Sequence, residues 1–435
     1  MDFDEMEIEK LLDYFAEGTS TIIISSRSID ISSRKNLYVF YKPVLFPTLK
    51  NTLRQIADQN SLKRNIDISV FTNDLDQFPV LRQRAAKLEE SIWGSALDGH
   101  WDTVKQWLEG DISFIDAPVR NPIGRATIGG MKIRNVSLLH LAVVQNSNIG
   151  LVKHLVEVGA NVNWEANWDM TPLYVAAGWN SNLDVLEYLI SEGANIHAEH
   201  VYYGTPLHCA AAHNSNVGIL DYLISLGADV NKRIESRTLL HYAAEYNHSV
   251  DILKYIVSQG LDVKAENGFR NTPLYCAASG NSNVEILQYL VSRGADVNVA
   301  NQNGSTPLHG AARHGHNLDI LIYLVSQGAD VNAKNSVGNT PLHLNTWWKA
   351  RVKLLQLLVT LGADINAKNN NGNTPLHFAS ERGHNKEDIL EGLVSLGANV
   401  NEKNNEGKTP LDIASSDEKK EYLRKTMMAC PKIQI

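Results

Sequence analysis

Cysteine is scarce in this chain. Cys209, Cys276 and Cys430 are its only three in 435 residues, too few for a disulfide framework. Long apolar runs are missing as well. None approaches the ~20 residues that a membrane helix needs, and Thr21 to Ile24 reads as a short strand. There is no excess of base: 40 Lys and Arg face 48 Asp and Glu, a net charge of −8, which argues against a general nucleic-acid binder. The N-terminus, Met1-Asp2-Phe3-Asp4-Glu5, is acidic where a signal peptide is basic. The expectation is a cytoplasmic protein without a membrane or nucleic-acid partner. What is present, 43% hydrophobic and 20% charged residues, is the composition of a folded protein. The length suits about three average domains or one extended solenoid.

Self-similarity decides between these. Thr-Pro-Leu recurs at Thr171, Thr205, Thr272, Thr306, Thr340, Thr374 and Thr409, with Ser137-Leu138-Leu139 and Thr238-Leu239-Leu240 on the missing beats. The spacings from Ser137 are 34, 34, 33, 34, 34, 34, 34 and 35. A second marker, Gly159-Ala160-Asn161-Val162-Asn163 in its first copy and Gly328-Ala329-Asp330 in a later one, keeps the same time. In the repeat at Thr306, the threonine suits a helix cap and Pro307 the first turn. Ala311-Ala312 let a neighbouring helix approach. His314-Gly315-His316-Asn317 reads as a turn. Ile320, Leu321, Leu324 and Val325 form the buried stripe of a second helix, and Gly328 suits a left-handed cap. One such unit cannot bury its stripe alone, so the units must stack.

These motifs resemble the ankyrin-repeat family. The match covers eight units, 137–408. A degenerate unit precedes them within 90–136 and a truncated one follows within 409–435, both placed as caps. The resemblance implies a mostly α protein: an ankyrin solenoid of about ten units including caps, with a protein-binding concave face. Residues 1–89 do not repeat and read as a small α/β domain of no recognised family. Its first 17 residues are net −6 and residues 18–89 net +5, which reads as a helix on a basic surface or as solvated faces.

Catalytic and metal motifs are hard to assemble. His140, His208, His241, His309, His343 and His377 share one repeat position; the resemblance implies a structural imidazole bonded to the cap threonine and nearby backbone. His197-Ala198-Glu199-His200 lacks a third ligand. Gly124 to Lys132 departs from a phosphate loop, with Gly130-Met131 where the motif needs lysine. Asn73-Asp74-Leu75-Asp76 reads as a turn and helix cap. Cys209 and Cys276 share a repeat position two units apart, which places them beyond disulfide reach. No cofactor, metal or catalytic residue is expected.

Recognition residues are sought where the repeat does not dictate packing, among the types that interfaces favour. In the loops reaching between units, the fingers, these are Trp164, Trp168, Tyr202, Tyr203, Phe269 and Arg270, with Arg233 and Arg237. At the inner helix ends they are Trp179, Tyr246, Trp347 and Trp348. A thirteen-residue excess before Ser137, around 117–136, adds Arg120, Arg125, Lys132 and Arg134 without an acid; it reads as a binding insertion or a solvated loop. Leu344-Asn345-Thr346 replaces the small Ala-Ala pair, so that unit is expected to pack less regularly. The resulting expectation is a monomeric, non-catalytic scaffold that binds another protein. The alternatives are an effector or toxin-like enzyme with its chemistry in 1–89, and a bacterial immunity protein.

Overall fold

The computed structural model describes residues 95–96, 100–110, 127–128, 131–132, 136–145, 149–314, 317–347, 351–381 and 387–429. The expected α/β domain at 1–89, the insertion residues Arg120, Arg125 and Arg134, and Trp348 lie outside them. The chain divides into two compact units, 1–127 with 132–164, and 128–131 with 165–435. The first contains α1 (Trp101–Gly110), α2 (Leu138–Gln145) and α3 (Ile149–Glu157). Two two-residue strands, β1 (Thr127–Ile128) and β2 (Met131–Lys132), pair within the insertion.

The second unit repeats one motif. It runs α4 (Pro172–Trp179) and α5 (Leu183–Ser191), α6 (Pro206–His213) and α7 (Val217–Ser225), α8 (Leu239–Tyr246) and α9 (Val250–Ser258), α10 (Pro273–Gly280) and α11 (Val284–Ser292). It continues with α12 (Pro307–His314) and α13 (Leu318–Ser326), α14 (Pro341–Trp347) and α15 (Val352–Thr360), α16 (Pro375–Glu381) and α17 (Glu387–Ser395). A last helix, α18 (Asp417–Ala429), closes it. Each even-numbered inner helix from α4 to α14 packs on the next, and each is backed by the outer helix that follows it.

The helices start and stop where the residues require. Thr171 and Thr272 accept from the backbone N–H of Tyr174 and Tyr275, satisfying donors that a helix start leaves open. Pro172 and Pro273 occupy the first turn, where the missing N–H costs nothing. Ile320, Leu321 and Leu324 are buried, as their spacing predicts; Val325 is half-buried. Gly328 has φ +89°, the conformation that ends the helix without a Cβ penalty.

Where histidine follows the threonine by three, it replaces the simple cap with a bridge. The ring Nδ1 of His309 accepts from the Thr306 N–H at 3.2 Å and lies 2.9 Å from its hydroxyl. Its Nε2 donates to the Asn339 carbonyl at 3.0 Å, thirty residues on. A carbonyl only accepts, so Nε2 carries the proton and the ring is neutral. His208, His241, His343 and His377 make the same bridge to Lys232, Asn271, Asn373 and Lys408. Burial pushes His208, His241 and His343 down to about 4 and lowers His309 and His377 as well. These histidines therefore tie the inner helices that carry them, α6, α8, α12, α14 and α16, to the next finger.

Two further sets of bonds join the units. On the turn side, buried Asn214 donates to the Ala177 and Asn180 carbonyls, Asn247 to Ala211 and Asn214, and Asn281 to Ala244 and Asn247. At the next position stands Gly315, which has no side-chain amide to continue the series. On the finger side, backbone bonds run from tip to tip: Gln302 N–H to Phe269 O, Ser336 to Asn303, Asn370 to Val337 and Asn405 to Asn371. That approach needs glycine. A Cβ on Gly304, Gly338 or Gly372 would meet the next finger's backbone nitrogen at 2.7, 2.6 or 2.7 Å.

At the C-terminal end, Thr409-Pro410-Leu411 forms a turn in place of an inner helix. Asp412 takes over histidine's part, accepting from the Thr409 N–H at 2.8 Å and its hydroxyl at 2.7 Å. From α18, buried Lys419 reaches back to the Ala379 carbonyl at 2.7 Å, neutralising the open end of α16.

Candidate protein-binding face

The fingers upstream of Phe269 differ from those downstream. The downstream tips place glycine at positive φ two residues before each cap threonine: Gly304, Gly338, Gly372 and Gly407. Upstream, Asp169, Ser236 and Arg270 hold that place at φ 63°, 66° and 59°. Side chains in this region cost about 1–3 kcal/mol each. Long side chains join these fingers: Lys232 pairs with Glu199, and Arg233 donates to the Glu266 carbonyl at 3.0 Å.

Apolar groups are exposed on the same fingers. Tyr202 is 54% exposed, Tyr203 38% and Phe269 67%, with Val201 beside the tyrosines. The two tyrosines are held from below. His200 is buried, and its Nδ1 accepts from the backbone N–H of both, at 3.1 and 3.2 Å. Its ring lies 5.0 Å from that of Tyr203 and stacks on Tyr174 at 5.3 Å. Burial lowers the His200 pKa, which keeps the ring neutral.

A pile of rings runs along the inner helix ends. Trp179, half-buried, stacks on exposed His213 at 4.9 Å with an 18° interplanar angle. His213 lies 5.9 Å from Tyr246. Beside Tyr246, the Arg237 guanidinium sits 4.3 Å over the Tyr242 ring and is paired with Glu245. Glu245 in turn lies over Gly280, where a Cβ would meet it at 2.5 Å. Arg237 is held well above the ordinary arginine range by the Glu245 carboxylate, against the opposing effect of burial.

Inner-helix/outer-helix pairs at a 34-residue period, closed by polar fingers and capped through Thr-Pro-Leu-His, are an architecture that a family model can test. A model described as ankyrin repeats in three copies matches the chain in overlapping segments, 94–200, 139–234, 194–267, 240–335, 275–369 and 342–425. The chain belongs to the ankyrin-repeat family. Comparison with curated proteins finds no match.

In this ankyrin-repeat protein the expected recognition residues fall into distinct groups. Tyr202, Tyr203 and Phe269 are open to solvent. Trp179 and Tyr246 belong to one half-buried pile, which His213 completes; sequence reasoning passed over that histidine as ordinary for its position. Arg237 is committed within the chain to Glu245, Tyr242 and Tyr246. Arg233 is exposed, but its guanidinium ties Ser236 O to Glu266 O. Arg270 pairs with Glu266 at 3.0 Å. Trp347 packs on Phe378, 4.9 Å away in the next inner helix. Trp164 is half-buried in the first unit and donates from its backbone to Asn161 O. Trp168 lies in a 3-10 turn, Asn167–Asp169, and Lys132 in β2; their side chains are not among those described.

Cys209 and Cys276 are free and buried. Burial pushes the Cys276 thiol up to about 12 and Cys209 higher, so both stay protonated and unreactive. Of the His197-Ala198-Glu199-His200 run, His200 lies under the tyrosines and Glu199 pairs with Lys232. Among the described residues, no helix is long and apolar enough to cross a membrane.

Proposed function

We propose that this ankyrin-repeat protein is a non-catalytic recognition module, monomeric and cytoplasmic, that binds a protein partner through its upstream fingers and the adjoining inner helix ends. The observation that carries the reading is the co-occurrence of exposed Tyr202, Tyr203 and Phe269 with the Trp179–His213–Tyr246 pile. Repeat packing has no use for exposed rings, whereas interface hot spots are enriched in tyrosine and tryptophan. The Tyr202–Tyr203 backbone is already fixed by His200, which lowers the entropy cost of binding.

The experiment isolates a partner with the intact protein, identifies it by mass spectrometry, and measures its affinity for Trp179→Ala, Tyr203→Ala and Phe269→Ala. At least one is expected to weaken binding about thirtyfold or more, the size of a hot-spot loss of ~2 kcal/mol. Retained affinity in all three moves the interface to another surface, with the 117–136 insertion next in line.

A further inference from the structure

The fingers that expose the tyrosines lie in a stretch of unusual charge. Residues 165–231 contain eight acids, Glu165, Asp169, Asp184, Glu187, Glu192, Glu199, Asp221 and Asp229, and neither lysine nor arginine. This segment alone matches the net charge of the whole chain, −8. All eight acids are exposed. Glu199 has a cationic partner in Lys232, from beyond the segment. Downstream the signs mix again, with Lys264, Lys334, Lys368, Lys403 and Lys408 set among the finger acids.

Two observations converge on the fingers at 165–170 and 199–204. One is the pair of exposed tyrosines on a buried histidine bed. The other is the surrounding carboxylates, Glu165 and Asp169 on one finger and Glu199 on the next, on consecutive units whose inner helices α4 and α6 pack together. Resting on the protein-binding reading above, we propose that these two fingers dock a basic, arginine-rich segment of the partner, its guanidinium groups stacking on Tyr202 and Tyr203 and pairing with Glu165 and Asp169. The field of the eight carboxylates steers a cationic segment toward this end of the unit and repels an acidic one.

The chain itself shows why arginine suits the site. One unit further on, Arg237 lies over Tyr242 with Glu245 as its counter-ion. A planar cation, a tyrosine face and a carboxylate are satisfied together there. Across these two fingers the tyrosine faces and the exposed carboxylates of Glu165 and Asp169 are present, and a partner supplies the cation. Asp169 strengthens the assignment: at φ 63° it stands where the downstream fingers have glycine, so a carboxylate is kept at a position that backbone geometry favours leaving bare.

The test titrates the full chain with two synthetic peptides, four Arg-Gly-Leu repeats and four Glu-Gly-Leu repeats, and follows intrinsic fluorescence. The arginine peptide is expected to bind at least about tenfold more tightly than the glutamate one, and to lose about tenfold as sodium chloride rises through the range where the Debye length shrinks from ~10 Å to ~3 Å. Tyr203→Ala, which leaves the charge unchanged, and Asp169→Asn, which asparagine tolerates at positive φ, are each expected to weaken the arginine peptide about fivefold or more with an unaltered melting temperature. The loss in Tyr203→Ala separates a built site from general attraction to an acidic chain. Equal affinity for the two peptides, or full affinity in both variants, overturns the proposal. So does self-association at low salt that the same variants abolish, since a second copy is then the occupant. If the peptides fail while Trp179→Ala still impairs a native partner, this proposal fails and the protein-binding reading stands.

Discussion

The side-chain amide of Asn247 donates to the Asn214 carbonyl 2.7 Å away, thirty-three residues upstream, and to the Ala211 carbonyl at 2.9 Å. One buried amide thus closes the open C-terminus of α6 from the neighbouring repeat. Asn247→Ala removes both bonds and leaves two buried carbonyls without this donor. Each such loss costs about 1–3 kcal/mol, so chemical denaturation is expected to show a loss of about 2–5 kcal/mol. Asn216→Ala serves as the comparison. It removes one exposed cross-unit bond, to Ser181 O, and a helix cap, at a cost of about 1 kcal/mol.

The signature histidines make the fold sensitive to acid. Their folded pKa lies below the unfolded value of ~6.5, at about 4 for His208, His241 and His343. The unfolded chain therefore binds more protons between these limits. The stabilisation is complete above pH ~6.5 and is lost as pH falls toward 4. Each histidine contributes a slope of ~1.4 kcal/mol per pH unit inside that window. His241→Gln is expected to flatten the slope, measured by urea unfolding at a series of pH values. An unchanged slope would mean that the ring is already charged in the folded protein.

Gly338 and Asp169 occupy equivalent finger positions with opposite requirements. Gly338→Ala places a Cβ at φ +78° and 2.6 Å from the Asn370 nitrogen, and is expected to lower stability by about 2–4 kcal/mol. Asp169→Gly relieves its own backbone and is expected to cost nothing or to stabilise by up to ~1 kcal/mol. Thermal unfolding of the two variants side by side checks both signs.

Asn345 is the irregularity expected where Leu344-Asn345-Thr346 replaces the alanine pair. It is buried, and its Nδ2 has no hydrogen-bond partner among the described residues. Asn345→Ala restores the repeat's small residue and removes that orphan, so it is expected to raise stability by about 1–2 kcal/mol. A fall instead would show that the amide is used in a way packing does not reveal.

Local signals made the solenoid legible. The 34-residue beat, the Thr-Pro cap, the glycine after each outer helix and the Ile320/Leu321/Leu324 stripe all act within a few residues. The shared histidine position was legible from its register, and its structural role from the family resemblance. The asparagine series was not recognised, although Asn-Ser-Asn stands at Asn146, Asn180, Asn214 and Asn281; its partners lie a repeat away, and a polar turn gives no hint of burial. The engagement of Arg237 was hidden for the same reason. Its pairing with Glu245 crosses from finger to helix end, so a residue that looks available in sequence is already engaged. His213 escaped because nothing near it in sequence reveals its stacking on Trp179, a repeat away.

The ties between fingers change in kind along the chain. From Gln302 on, the described finger tips are joined backbone to backbone. Upstream, the described ties are made by side chains, Lys232 to Glu199 and Arg233 to the Glu266 carbonyl. A backbone bond is the same whatever the sequence, whereas a charged side chain can exchange one partner for another. A ligand that brings its own carboxylate or guanidinium competes for the upstream ties and finds nothing to exchange in the downstream clasp.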